Sequence, residues 1–121
     1  MSQEFLSDQS QSKEMQEMQK VIKFLKKYNI DFTVDGDKIM IKGELKYADI
    51  VYFNRPTYIN TARIVISQGD NDIDINVYSE TDVAYIAVRT PTNYVTIALP
   101  RKYVHVHYED SHLVIDFSPK Q

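Results

Sequence analysis

At residue 30 the spacing of apolar residues changes from three or four to two, and it holds at two through residue 118. The first spacing marks one stripe of an α-helix and the second one face of a β-strand. Met15, Met18, Val21, Ile22, Leu25 and Tyr28 form the helical stripe. Ser12 is placed to cap its start, and Glu14 and Glu17 lie near the positive end of the helix dipole. Lys23, Lys26 and Lys27 fall in the last turns, where cations are favoured, and Asn29 is placed to end the helix. The spacing predicts a helix over 13–28.

Downstream, Asp35-Gly36 is a two-residue hairpin signal. With that loop, Val34 pairs with Asp37, Phe32 with Ile39 and Ile30 with Ile41, so the large β-formers share one face. Further strand-like segments lie near 45–53, 58–68, 72–78, 83–89, 93–99, 102–109 and 112–118, broken by NRP, QGDN, SETD, TPTN, PR and EDS. These breaks are too short for crossover helices, so consecutive strands must be antiparallel. The expected fold is therefore α+β and predominantly β, with one N-terminal amphipathic helix followed by an antiparallel meander of about 8–9 strands. It closes as a sandwich or a partly closed barrel. KYADIVYF is nearly continuous in its hydrophobicity, so residues 46–53 fit either a buried strand or a short helix.

Length and composition narrow the classes. The 121 residues suffice for one domain, read as 13–118, with a Ser/Gln-rich arm at 1–12 and a tail at 119–121. There are no cysteines, so disulfides, thiol catalysis and Cys-ligated metals are excluded. No apolar run approaches the ~18 residues of a membrane span. MSQEFLSDQSQS has neither a basic nor an apolar leader region, which points to the cytoplasm. The three glycines, at 36, 43 and 69, are scattered, and no G-x-S-x-G elbow is present. No assembled catalytic set or cofactor loop is visible, so a non-enzymatic role without a cofactor is expected.

The second half offers the candidate sites. In the last hairpin Val104, Val106, Tyr108, Leu113, Ile115 and Phe117 make a core face if Asp110-Ser111 is the loop. The opposite face then carries Tyr103, His105, His107, Glu109, His112 and Asp116, and it is expected to collect Tyr78, Tyr85 and Tyr94 from neighbouring strands. Tyr78, Tyr85, Arg89, Tyr94, Tyr103, His105 and His107 make the candidate partner surface, because Tyr, His and Arg mark binding faces more than plain solvent faces do. Tyrosine is also a good strand former, which explains the same pattern without a partner.

Two other sets carry alternative chemistry. Lys13, Lys20, Lys23 and Lys27 lie opposite the helical apolar stripe, where they either contact nucleic-acid phosphates or form an ordinary solvated face. Residues 13–63 hold ten Lys and Arg against seven acids, and residues 64–118 three against eight. His105, His107 and His112, with Glu109, have the side-chain types of a metal site with an open position. Asp70, Asp72 and Asp74 open like a calcium loop, but Ile75 and Thr81 stand where Gly and Glu are needed, so a charged turn is expected.

VYSETDVAYIAV, YVTIALP and YVHVHYEDSHLVIDF, within residues 77–117, loosely resemble the strand patterns of small heat-shock (α-crystallin) domains. That resemblance implies a β-sandwich and nothing more, because the glycine after the family's first strand pair and its Ile-x-Ile tail have no counterpart. The expectation is an intracellular, non-enzymatic module that binds a protein through the Tyr/His face and self-associates through the helix or an edge strand. Nucleic-acid binding by the helix lysines with exposed tyrosines stacking on bases is the first alternative. A metal-dependent enzyme built on the histidines is the second.

Overall fold

The computed structural model describes residues 12–52 and 59–118. Residues 1–11 of the arm, the NRP break at 54–56 and the tail at 119–121 lie outside the described residues. Among the described residues one helix, α1 (Lys13–Lys27), precedes nine strands: β1 (Phe32–Asp35), β2 (Lys38–Lys42), β3 (Glu44–Tyr52), β4 (Ile59–Gln68), β5 (Asn71–Ser79), β6 (Val83–Arg89), β7 (Tyr94–Pro100), β8 (His105–Glu109) and β9 (His112–Asp116). A 3-10 turn, Arg101–Tyr103, joins β7 to β8.

The helix forms where its caps place it. Ser12 Oγ accepts the Met15 N–H at 3.2 Å. At the other end Asn29 adopts a left-handed φ of 59°. The Ile30 N–H then reaches the Leu25 carbonyl at 3.0 Å and the Asn29 N–H reaches Lys26 at 3.3 Å. This is the paired bonding of a Schellman end, and Leu25 and Ile30 supply its buried apolar contact. Met18, Val21 and Leu25 are buried, and the helix lies against β7 and the 3-10 turn.

All nine strands are antiparallel to their neighbours, but they make two sheets rather than one meander. Strands β3 to β7 pair in sequence, whereas the other sheet has the order β1-β2-β9-β8. The last hairpin therefore returns to the first, with Ile39 opposite Ile115 and Ile41 opposite Leu113. One core joins both sheets and the helix, including Ile64, Ile75, Ile86, Leu113, Ile115 and Phe117. The architecture is a two-sheet sandwich. Gly43 is the corner where the chain leaves one sheet for the other.

Residues 46–52 belong to β3, so the strand reading of KYADIVYF holds over the described part. The first hairpin differs from expectation. Asp35 pairs with Lys38, Val34 with Ile39 and Phe32 with Ile41, so the loop is Gly36-Asp37. Gly36 takes the positive φ, 62°. Each partner moves along by two residues, and a two-residue shift keeps the same side chains on the same face. In the last hairpin Asp110 and Ser111 both have positive φ, 52° and 65°, and Glu109 pairs with His112. Asp70 occupies the turn before β5, consistent with a charged turn.

Candidate functional site: the outer face of the five-stranded sheet

Alternation fixes which side chains of β3–β7 point away from the core. The register aligns them in three rows running across the sheet: Tyr47, Val65, Asp74, Arg89, Tyr94; Asp49, Arg63, Asn76, Ala87, Thr96; and Val51, Thr61, Tyr78, Tyr85, Ala98. Tyr47, Val51, Tyr78 and Tyr94 on this face are among the most exposed large apolar residues, at 40–59%.

The polar groups of the face are arranged around those rings. The Arg63 guanidinium donates to both carboxylate oxygens of Asp74, at 2.8 and 3.2 Å. That pairing holds the Arg63 pKa above its ordinary value, through the hydrogen bond first and the opposite charge second. The same guanidinium lies 5.5 Å from the Tyr47 ring centroid, and Arg89 lies 4.4 Å from that of Tyr94, both within cation–π range. Tyr78 and Tyr85 stack at 4.9 Å between centroids. The Glu80 charge, followed by burial, raises the Tyr85 pKa. A shallow groove of about 280 Å³ runs between β3 and β5, lined by Asp49, Val51, Thr61, Arg63, Asn76 and Tyr78 among others.

The structure divides the residues expected to act together. Tyr78, Tyr85, Arg89 and Tyr94 do share this face. Tyr103, His105 and His107 do not, because β8 belongs to the other sheet and Tyr103 to the 3-10 turn. The expectation of one continuous Tyr/His face is thus corrected: sequence adjacency placed β8 beside β7, but the chain crosses between layers at residues 101–103. On the outer side of the four-stranded sheet, His107 is only 13% exposed at its side chain, with Nδ1 3.1 Å from a Glu109 oxygen. Its register neighbour Val114 is 2% exposed although it faces away from the core.

The histidines do not converge. His105 stands opposite Asp116 and His107 opposite Val114, while His112, opposite Glu109, has its Nδ1 2.6 Å from the Asp110 carbonyl. Among the described residues, no three His, Asp or Glu side chains are grouped to hold a metal ion. The helix lysines are exposed; Lys20 pairs with the buried Glu17 carboxylate at 3.0 Å and Lys27 lies 5.5 Å from the Tyr28 ring centroid. Asp74 bonds Arg63 rather than serving a cation loop.

Tyr47, Val51 and Arg63 were missed from the sequence. Their signal was the alternation Tyr47, Asp49, Val51 against Ala48 and Ile50, legible only once 46–53 is taken as a strand. No described helix is long and apolar enough to cross a membrane. No family model matches the chain, and neither a curated protein nor a solved structure matches it.

Proposed function

We propose that this chain is a non-enzymatic interaction module that binds a protein partner through the outer face of β3–β7. The observation that carries the reading is the cluster of exposed rings already held by fixed cations. Tyr47 with Arg63 and Tyr94 with Arg89 present aromatic and guanidinium surface in set positions. Tyr and Arg are the residue types that dominate protein-interface energetics, and side chains ordered before binding lose less entropy on association.

The charge of the face favours protein over nucleic acid. Asp49, Asp72 and Asp74 outnumber Arg63 and Arg89, and a phosphate backbone is drawn to surplus cations. The lysines of α1 belong to a different element.

The test is site-specific photocrosslinking in cells from position 94, with the captured protein then purified for direct binding. Replacing Tyr47, Tyr78 and Tyr94 together by Ser is expected to weaken that binding at least tenfold while the circular dichroism spectrum stays unchanged. Unchanged affinity in the triple variant would remove the outer face from the reading. Affinity for single-stranded DNA or RNA that falls steeply with salt would replace it with nucleic-acid binding.

A further inference from the structure

Strand β3 carries apolar side chains on both of its faces but occupies the edge of its sheet. Its outward side chains include Tyr47 and Val51, 47% and 52% exposed. Its inward side chains Leu45, Ala48 and Ile50 stand opposite the buried Ile66, Ile64 and Ala62. Even so, Leu45 is 42% exposed and Ala48 is exposed as well. The cause is the stacking of the layers: β8, the edge of the four-stranded sheet, lies over β4, so the inner face of β3 projects past it.

The other sheet edges are guarded. β1 has four residues and β8 five. β7 has the helix beside it and ends at Pro100. β3 is longer, with nine residues, although its register with β4 shifts between Leu45 and Tyr47 and again between Val51 and Tyr52. A long apolar edge with one side of its backbone unpaired is a template for another strand.

We propose that β3 is the edge across which a second copy of this chain pairs, antiparallel about a two-fold axis through Ala48, joining two five-stranded sheets into one of ten strands. The sequence of the strand selects this occupant and this register. Lys46 and Asp49 carry opposite charges on either side of residues 47–48. An antiparallel copy centred on Ala48 sets each Asp49 opposite the partner's Tyr47 and one residue from the partner's Lys46. Moving the axis to Asp49 would instead place two carboxylates face to face, which is destabilising across a strand pair. A two-fold contact requires this kind of self-complementarity. The inference does not rest on the outer-face reading, since pairing along the β3 edge leaves Tyr78, Tyr85, Arg89 and Tyr94 open.

The native chain has no cysteine, so introduced thiols report on the pair without background. Residues directly opposite on antiparallel strands have Cα atoms about 4.5–5.5 Å apart, inside the disulfide range. Untagged protein is expected to rise toward the mass of two chains by light scattering within about 5–500 μM, the range in which micromolar to near-millimolar dimers convert. Mild oxidation is expected to crosslink Ala48→Cys between chains at least tenfold faster than Thr96→Cys on β7. Leu45→Lys combined with Ala48→Lys, both at exposed positions off the outer face, is expected to give a monomer with an unchanged melting temperature. A monomeric wild type over that whole range overturns the proposal. So does a dimer that survives the double Lys variant, or Ala48→Cys crosslinking no faster than Thr96→Cys. Loss of dimer with the outer-face affinity intact separates this interface from the proposed partner site.

Discussion

Gly43 and Ser67 pack so closely that a Cβ on the glycine would come within 2.7 Å of the Ser67 carbonyl oxygen. The same Cβ would stand 3.3 Å from Ile66 Cβ and from Gln68 Cγ. Gly43 lies between β2 and β3, where one continuous stretch of chain passes from the four-stranded sheet to the five-stranded one. The backbone of β4 cannot yield cheaply, because Ile64 and Ile66 on the same strand are fully packed. Gly43→Ala is therefore expected to lower stability by about 1–3 kcal/mol in urea unfolding, the usual cost of overpacking. Gly69→Ala, with nothing within 4 Å, isolates the separate cost of a positive φ. A Gly43→Ala midpoint equal to wild type would mean that the corner is looser than this spacing requires.

Gln68 ties three segments together beside that corner. Its Oε1 accepts the Asp31 N–H at 2.9 Å, and its Nε2 donates to the Asp31 and Lys42 carbonyls at 2.8 and 2.9 Å. One amide thus joins the end of β4 to the helix–β1 link and to the end of β2. A net hydrogen bond contributes about 0.5–1.5 kcal/mol, and these are exposed, so Gln68→Ala is expected to cost about 1–3 kcal/mol in all. Gln68→Glu is expected to cost more at neutral pH, because a carboxylate would face two carbonyl oxygens. Amide hydrogen exchange supplies a local readout: Asp31 should lose protection in both variants, and retained protection would contradict the bridge.

The helix and the positions of the strands were legible because each depends on short-range chemistry. Ser12, the 3–4 spacing and Asn29 define α1, and alternation with turn residues defines the strands. Layer assignment was not legible. Whether β8 continues beside β7 or crosses to β9 depends on which distant edge offers a partner, and here Ile39 and Ile41 of β2 meet Ile115 and Leu113. The candidate face divided for that reason: Tyr78, Tyr85, Arg89 and Tyr94 stayed together, while His105 and His107 moved to the other layer. The shift at the first hairpin had a different cause. Asp35-Gly36 and Gly36-Asp37 are both chemically acceptable loops that keep the same side chains on the same face, and the chain takes the second, with Val34 opposite Ile39.

Asn29 supports the helix end at one residue. Its φ of 59° is a conformation that glycine adopts freely and that asparagine tolerates better than branched residues do. Asn29→Gly is expected to leave stability unchanged or raise it by a few tenths of a kcal/mol, about the difference between the two residues at this position. Asn29→Val is expected to lower it by about 1–2 kcal/mol. Thermal unfolding of the two variants compares them directly. Equal stabilities would mean that the Ile30–Leu25 closure does not depend on the left-handed residue.

Tyrosine ionisation gives a prediction that joins the outer face to stability. The Glu80 charge, then burial, raises the Tyr85 pKa above 10, and burial alone raises that of Tyr108. A group that binds its proton more tightly in the folded state keeps it while the unfolded chain loses its own. The unfolded state then holds fewer protons than the native state, so stability must fall as pH rises from about 10 through the raised values, with no contribution below about 10. Absorbance titration near 295 nm is expected to show a late-ionising fraction among the nine tyrosines. Tyr85→Phe and Tyr108→Phe should each remove part of that fraction. Glu80→Gln should move only the Tyr85 part back toward 10, since Tyr108 owes its shift to burial. A titration in which Glu80→Gln leaves the late fraction untouched would break the link between Glu80 and Tyr85. The Tyr85 ring, stacked on Tyr78, would then owe its shift to burial instead.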